Sequence, residues 1–160
     1  MEQIEQKLLA TPMAGVYLQD LGIVETLGGP VLHLLRSEYP LMPFKQSFGE
    51  IYFSEILPGS VKGWKRHKRQ TQLFAVPLGL LKLVLFDERT NSQSKGLVQE
   101  FLLGRPKHYQ LLKIPPMIWY AFTPANASKA LLCNCADLPH DPTEAERLPL
   151  ENARIPYSFT

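Results

Sequence analysis

Between Lys62 and Gly79 the chain sets a block of cationic and polar side chains directly ahead of an apolar run. It reads Lys62-Gly63-Trp64-Lys65-Arg66-His67-Lys68-Arg69-Gln70-Thr71-Gln72, then Leu73-Phe74-Ala75-Val76. Lys65 and His67 stand two apart, so on a strand they share one face. An amine beside an imidazole can take a proton, return it, or hold a developing anion. Which of these Lys65 does depends on its charge. Burial and the like charges of Arg66, Lys68 and Arg69 all push a lysine towards its neutral form. A neutral Lys65 removes a proton; a charged one steadies an enolate. Non-chemical readings stand beside these. Lys65 then contacts a phosphate or carboxylate in a barrel that does no chemistry, and His67 is a hydrogen-bonded interior histidine. The cationic cluster as a whole is either a solvated face or a pocket for a phosphate.

The elements that would hold these residues are short. Apolar runs at 16–18, 23–27, 31–35, 50–57, 61–67, 72–76, 80–86, 97–103, 109–114, 118–122 and 130–136 alternate with turn signals such as Gly28-Gly29-Pro30, Pro58-Gly59 and Pro124-Ala125-Asn126. Many short strands at this spacing predict an all-β sandwich or barrel. Ile4, Leu8 and Leu9 have roughly helical spacing and predict one short helix over 2–9, ended by Thr11-Pro12. Residues 137–160 differ in character. Asp141 to Glu146 predicts a helical turn with Thr143 as N-cap and Glu146 completing a capping box. Residues 148–159 hold too many prolines for a central strand and should wrap over the barrel or a partner subunit.

The 160 residues suffice for one domain, with a core over about 20–136 and a wrapping segment over 137–160. A net charge of +2 gives no global argument for nucleic acid. Residues 1–9 are charged and polar, unlike a leader, and the run 73–86 is broken by Pro77, Gly79 and Lys82, so no membrane partner is expected. Cys133 and Cys135 would share a strand face too close together for a relaxed disulfide, and they read as buried free thiols of a cytoplasmic protein.

Lys62 to Gly79 resembles the first signature of the cupin barrels. Within that class it is similar to the Arg/Lys-Gly-x-His-x-His-Lys-Lys-x-x-Gln of the dTDP-4-dehydrorhamnose 3,5-epimerase and dTDP-sugar isomerase type. The first histidine is here Lys65. Ile114-Pro115-Pro116-Met117-Ile118-Trp119-Tyr120 is similar to the second signature, Ile-Pro-Pro-Gly-x-Trp-His, with Met117 for the glycine and Tyr120 for the histidine. Phe48 to Glu55 and the tail Asp141-Pro142, Arg147-Leu148-Pro149 and Ile155-Pro156-Tyr157 also fit these relatives. The resemblance implies an all-β, cupin-type double-stranded β-helix (a jelly-roll barrel) with a short N-terminal helix and an irregular C-terminal tail. It implies a homodimer and a nucleotide-linked 4-keto-6-deoxy sugar as partner, epimerised or isomerised without cofactor by proton abstraction beside the ketone. The alternative is a non-catalytic cupin that holds a sugar nucleotide or another small anion. Lys65 and His67 are the catalytic candidates. Lys62, Arg66, Gln72, Tyr52, Lys82, Trp119 and Tyr120 are the substrate-binding ones, with Lys62 where relatives place a cation for the pyrophosphate. The family's acid tyrosine falls on Cys133, and the carboxylate that orients the base falls near Glu151 and Asn152. No metal is expected, because Lys65, His67, Gln72 and Tyr120 stand where metallo-cupins place three histidines and a carboxylate.

Overall fold

A computed structural model describes residues 8–41 and 48–160. Two antiparallel sheets face each other. The first holds, in lateral order, β1 (Leu8–Ala10), β2 (Tyr17–Asp20), β10 (Gln110–Ile114), β7 (Gln72–Leu78), β12 (Ala130–Ala136) and β5 (Glu50–Ile56). The second holds β13 (Ala145–Arg147), β6 (Lys62–His67), β11 (Ile118–Pro124), β8 (Leu80–Asp87) and β9 (Val98–Gly104). A small hairpin, β3 (Ile23–Val24) with β4 (Val31–Leu32), stands apart. Every predicted apolar run overlaps one of these strands. No helix among the described residues is long and apolar enough to cross a membrane.

Apolar side chains are buried in three layers. Between the sheets, Phe74, Val76, Leu112 and Leu132 from one side meet Leu83, Leu85, Tyr120 and Phe122 from the other. The outer face of the first sheet, with Leu73, Ala75, Cys133 and Cys135, is covered by Leu21, Tyr39 and Leu41, with Ile23 and Leu32 of the hairpin against them. The outer face of the second sheet, with Trp64, Val84, Phe86 and Trp119, is covered by Leu148, Ile155, Tyr157 and Phe159 of the tail. Strands covered on both faces have no reason to alternate, which is why β7, β8 and β12 read as near-continuous apolar runs. Trp64 is fully buried under the tail, and truncating it to alanine should cost about 3–5 kcal/mol.

Two local expectations are corrected. Most of the predicted 2–9 helix lies outside the described residues, but Leu8 and Leu9 are in β1, paired with Gln19 and Leu18. Sheet pairing there outweighs a sparse helical spacing. The turn after Asp141 is not helical. The Asp141 carboxylate accepts from the Thr143 N–H at 2.9 Å and its hydroxyl at 2.7 Å, so Asp141 rather than Thr143 is the capping side chain. The chain then enters β13, which pairs with β6.

One glycine fixes how β6 meets β11. A Cβ on Gly63 would lie 2.4 Å from the Ala121 Cβ and 2.8 Å from the Tyr120 carbonyl, and its φ is 133°. Only glycine permits this approach. The approach sets Lys65 opposite Tyr120.

Candidate active site

The alternation of β6 sends Trp64 and Arg66 outward and Lys65 and His67 inward. Lys65 enters a cavity of about 220 Å³ between the sheets, with Lys62 and Gly63 from the same strand. Tyr52 and Ser54 of β5 and Leu132 of β12 line the first-sheet wall, Tyr120 and Phe122 of β11 the other, and Arg147 of β13 the side next to Lys65. Phe74 and Tyr120 meet edge to face at 5.2 Å, and Phe122 stacks on Tyr120 at 6.2 Å, so the floor is aromatic.

His67 does not line this cavity. It stands behind Tyr120, ring against ring, with Nε2 3.1 Å from the Tyr120 hydroxyl. Its Nδ1 is buried with no partner among the described residues. Burial first, then the charges of Lys65 and Arg147, hold the His67 pKa down to about 4 against the pull of Glu144. The imidazole is therefore neutral at pH 7, and in the tautomer with its proton on Nδ1 the Nε2 accepts from the Tyr120 hydroxyl. Burial raises the Tyr120 pKa well above the ordinary phenol value. Burial also lowers the Lys65 pKa, Arg147 lowers it further, and Glu50 opposes. Neither the Lys65 nor the Arg147 side chain has a hydrogen bond or ion pair among the described residues.

A polar chain holds the opposite wall. The Tyr52 hydroxyl accepts from the Asn134 amide at 2.8 Å. The same amide donates to Gln72, and Gln72 donates to Gln70 at 3.1 Å. Gln70 in turn donates to the carbonyls of Leu138 and Pro139 at 2.9 and 3.0 Å. Because Tyr52 accepts here, its own O–H proton is free to be donated. Burial raises the Tyr52 pKa, so that proton is present at neutral pH. At the mouth, exposed Lys62 reaches the Ser54 hydroxyl at 2.8 Å and the Glu55 carbonyl at 2.7 Å.

The structure thus brings Lys62, Lys65, Tyr52 and Tyr120 to one cavity, with His67 and Gln72 directly behind. It does not bring Arg66, Trp119 or Lys82 there. Arg66 lies over the Trp119 ring at 4.5 Å on the outer face and is paired with Glu88 and Glu146. Lys82 lies 5.8 and 5.6 Å from the rings of Tyr157 and Phe159 in the tail. Each of the three is one residue out of phase with the inward set. Cys133 is also misplaced as the acid: it sits across from Phe53 and Ala75 on the outward side, whereas Asn134 sits across from Tyr52 and Phe74 on the inward one. Both thiols are buried and free. Glu151 is exposed, and Asn152 caps a tail turn through the N–H groups of Arg154 and Ile155 at 2.9 and 2.8 Å, so neither orients a base. Among the described residues no group of three His, Cys, Asp or Glu could hold a metal.

Arg147 and Asn134 were missed from the sequence. Asn134 was available from strand parity; Arg147 stood in the tail motif Arg147-Leu148-Pro149 but had no strand signal, because its strand is three charged or small residues long. A larger hollow of about 960 Å³ lies on the outer side, lined by Arg66, Glu88, Arg89 and Arg154. Its arginines are already paired with Glu88, Glu146 and Asp87.

No family model matches the chain. Its fold matches the crystal structure of a dTDP sugar isomerase from Desulfovibrio desulfuricans G20 with a TM-score of 0.90 and 47% identity over 94% of both chains. A probable low-salt glycan biosynthesis epimerase of Haloferax volcanii is 27% identical over 89% of this chain and 86% of its own length. A dTDP-4-dehydrorhamnose 3,5-epimerase of Bacillus anthracis, crystallised with TDP and pyrophosphate, shares the fold at a TM-score of 0.80 and 15% identity, over 95% and 89% of the two chains.

Proposed function

The chain belongs to the dTDP-sugar isomerase and dTDP-4-dehydrorhamnose 3,5-epimerase-like cupin proteins, and on that footing we propose that it epimerises or isomerises a nucleotide-linked 4-keto-6-deoxy sugar by moving a proton beside the ketone. The observation that carries this is the cavity itself: an amine with no ion pair among the described residues, between two tyrosines, one on each sheet. About 220 Å³ is smaller than the roughly 300–1,000 Å³ of pockets that enclose a whole ligand. It suits the sugar ring alone, with the diphosphate and nucleoside at the mouth. Lys62 and Arg147 flank that mouth and supply the charge for two phosphates.

The ketone makes the hydrogens on its neighbouring carbons acidic. Lys65 faces the ketone and stabilises the charge that develops there. Tyr120, backed by the neutral His67, takes the proton on one wall: its oxygen receives the substrate proton as its own passes to Nε2. Tyr52 returns a proton from the opposite wall. Removal on one face and return on the other inverts the carbon. The scheme uses no cofactor or metal.

The same reading takes the protein to be a cytoplasmic homodimer. Exposed Ile51 and Phe53 on the edge strand β5, 44% and 63% accessible, support a subunit contact there. Light scattering that gives a monomer at micromolar concentration would sink the dimer.

The activity is tested with dTDP-4-keto-6-deoxyglucose in heavy water, followed by NMR. Deuterium should enter the ring beside the ketone. Tight binding of the sugar nucleotide with no deuterium entering would leave a binding protein and sink the enzyme.

A further inference from the structure

A primary amine does what an imidazole at the same place does not: it adds to a ketone and can lose water to form an imine. Lys65 has the surroundings for that. Its side chain enters the cavity with no hydrogen bond or ion pair among the described residues. Arg147 stands across from it in register, and Phe74, Tyr120 and Phe122 line the same space. A neighbouring cation and an apolar floor both disfavour the ammonium form, against the opposing charge of Glu50, and favour the free lone pair. We infer that Lys65 attacks the ketone carbon of the bound keto-sugar and carries the reaction as a Schiff base. The inference rests on the proposed reading of this cavity as a keto-sugar site.

The steps balance without any further reagent. The Lys65 nitrogen lone pair forms a bond to the ketone carbon, and the carbonyl π pair moves to oxygen, which takes the proton that the now cationic nitrogen gives up. A second proton on that oxygen lets it leave as water, and the carbon and nitrogen are joined as an iminium. The neighbouring carbon loses a proton, and its C–H pair moves into the ring to give a neutral enamine. A proton delivered to the opposite face restores the iminium in the epimer. Water then adds, the carbon–nitrogen bond breaks, and ketone and amine are regenerated.

This route resolves a mismatch in the site. His67, with its pKa held at about 4, is a weak base for a hydrogen beside a neutral ketone. An iminium withdraws electrons far more strongly than a ketone, so the same hydrogen comes within reach of a weak base. The covalent route also narrows the outcome. A shift of hydrogen onto the former ketone carbon would leave the sugar joined to Lys65 by an amine, which water does not cleave. Lys65 chemistry of this kind therefore fits epimerisation beside the ketone and not transposition of the ketone along the ring.

The test uses the whole protein with dTDP-4-keto-6-deoxyglucose and cyanoborohydride, read by intact mass and peptide mapping. One sugar nucleotide should become fixed per chain, at Lys65, and none in Lys65→Arg, which keeps the charge. In parallel, the ketone oxygen should exchange with ¹⁸O-labelled water at least ~10-fold faster with the wild-type protein than with Lys65→Arg, because each imine hydrolysis inserts a solvent oxygen. The oxygen reading on the wild type stands even if the variant fails to fold, with buffer alone as the reference. Deuterium entering the ring with neither adduct nor accelerated oxygen exchange overturns the Schiff base and leaves the proposed function intact. Trapping on a lysine other than Lys65 also overturns it. Absence of binding, deuterium exchange and adduct together overturns both.

Discussion

The two faces of β6 carry two cationic clusters made from neighbouring residues, and they are wired in opposite ways. On the outer face the charges around Trp119 are paired. Arg66 is held between Glu88 and Glu146, Glu88 also takes Arg154 of the tail, and the Trp119 N–H donates to Glu88 at 3.0 Å. On the inner face Lys65 and Arg147 are adjacent cations that make no ion pair among the described residues, with only the more distant charge of Glu50 acting on Lys65, and the His67 Nδ1 is buried without a partner among them. A satisfied cluster lowers the energy of the fold; an unsatisfied one raises it, and persists where the missing partner is a ligand. The difference separates the charges that fasten the tail from those that await an anionic keto-sugar.

The largest expected effect lies on the inner face. Lys65→Ala and His67→Ala should each lower solvent exchange of the substrate protons by about a hundredfold or more. Lys65→Ala should leave the unfolding midpoint unchanged or raise it, since it removes an unpaired cation. A clear fall in its midpoint would break the comparison, because Lys65 would then be a structural group. On the outer face Arg66→Ala should do the reverse. It strips two carboxylates of their partner and should cost about 2 kcal/mol in urea unfolding, discounted because Glu88 and Glu146 remain partly solvated. Its exchange rate per folded molecule should change little. If Arg66→Ala abolished exchange at unchanged stability, the assignment of that face to structure would fail.

Lys62 tests the mouth of the cavity. Lys62→Ala should weaken nucleotide-sugar binding about tenfold at low salt, or about 1.4 kcal/mol, with turnover at saturation nearly unchanged. The gap between variant and wild type should close as salt is raised, because Lys62 is exposed. A turnover defect at saturating substrate would move Lys62 into the chemistry.

The pH profile sharpens the inner face further. The Lys65 pKa is lowered, and the Schiff-base route needs the neutral amine, so on that route exchange should rise with pH up to that lowered value. Arg147→Gln removes a cation that disfavours the ammonium, so the rising limb should move to higher pH. A limb that stays in place would show that Arg147 does not act on Lys65. His67 adds no limb near its ordinary 6.5, since it remains neutral down to about 4. Its depressed pKa does affect stability. The folded form resists protonation, so the His67 contribution is whole above about 6.5 and is lost as pH falls towards 4. His67→Gln should flatten the stability profile across that window.

Much of this architecture was legible because it depends on period. Eleven apolar runs each overlap a strand, and the parity of Lys65 and His67 places both inward. The same parity rule, carried to the neighbouring strands, separates Arg66, Trp119 and Lys82 from the cavity and puts Asn134 rather than Cys133 beside Tyr52. Those residues were misjudged by proximity to a motif, where strand phase decides. Arg147 was beyond any such rule. Ala145-Glu146-Arg147 has no apolar alternation; it is a strand because β6 offers it a partner edge. Leu8 was drawn into β1 in the same way, by a pairing with β2 that no local pattern announces.

The smallest expected effect comes from the turn that links the two faces. Met117 leads into β11, and its N–H donates to the His67 carbonyl at 2.7 Å, while its side chain lies along the outer hollow near Arg66. Its φ is 68°, the left-handed region, where a side chain costs about 1–2 kcal/mol. Glycine relieves that cost but gives back about 0.5–1 kcal/mol in the freedom of the unfolded chain. It also loses the packing of a half-buried methionine. The balance for Met117→Gly is a gain of about 0.5 kcal/mol, a rise in Tm of roughly 1–2 °C for a chain of this size. Exchange of substrate protons should not change, because the backbone contact to His67 is kept and the lost side chain belongs to the outer face. A fall in Tm would show that the methionine packs the outer hollow strongly enough to outweigh the strain. A changed exchange rate at unchanged Tm would show that this turn sets the position of His67, so that the two faces of β6 are coupled through it and not merely back to back.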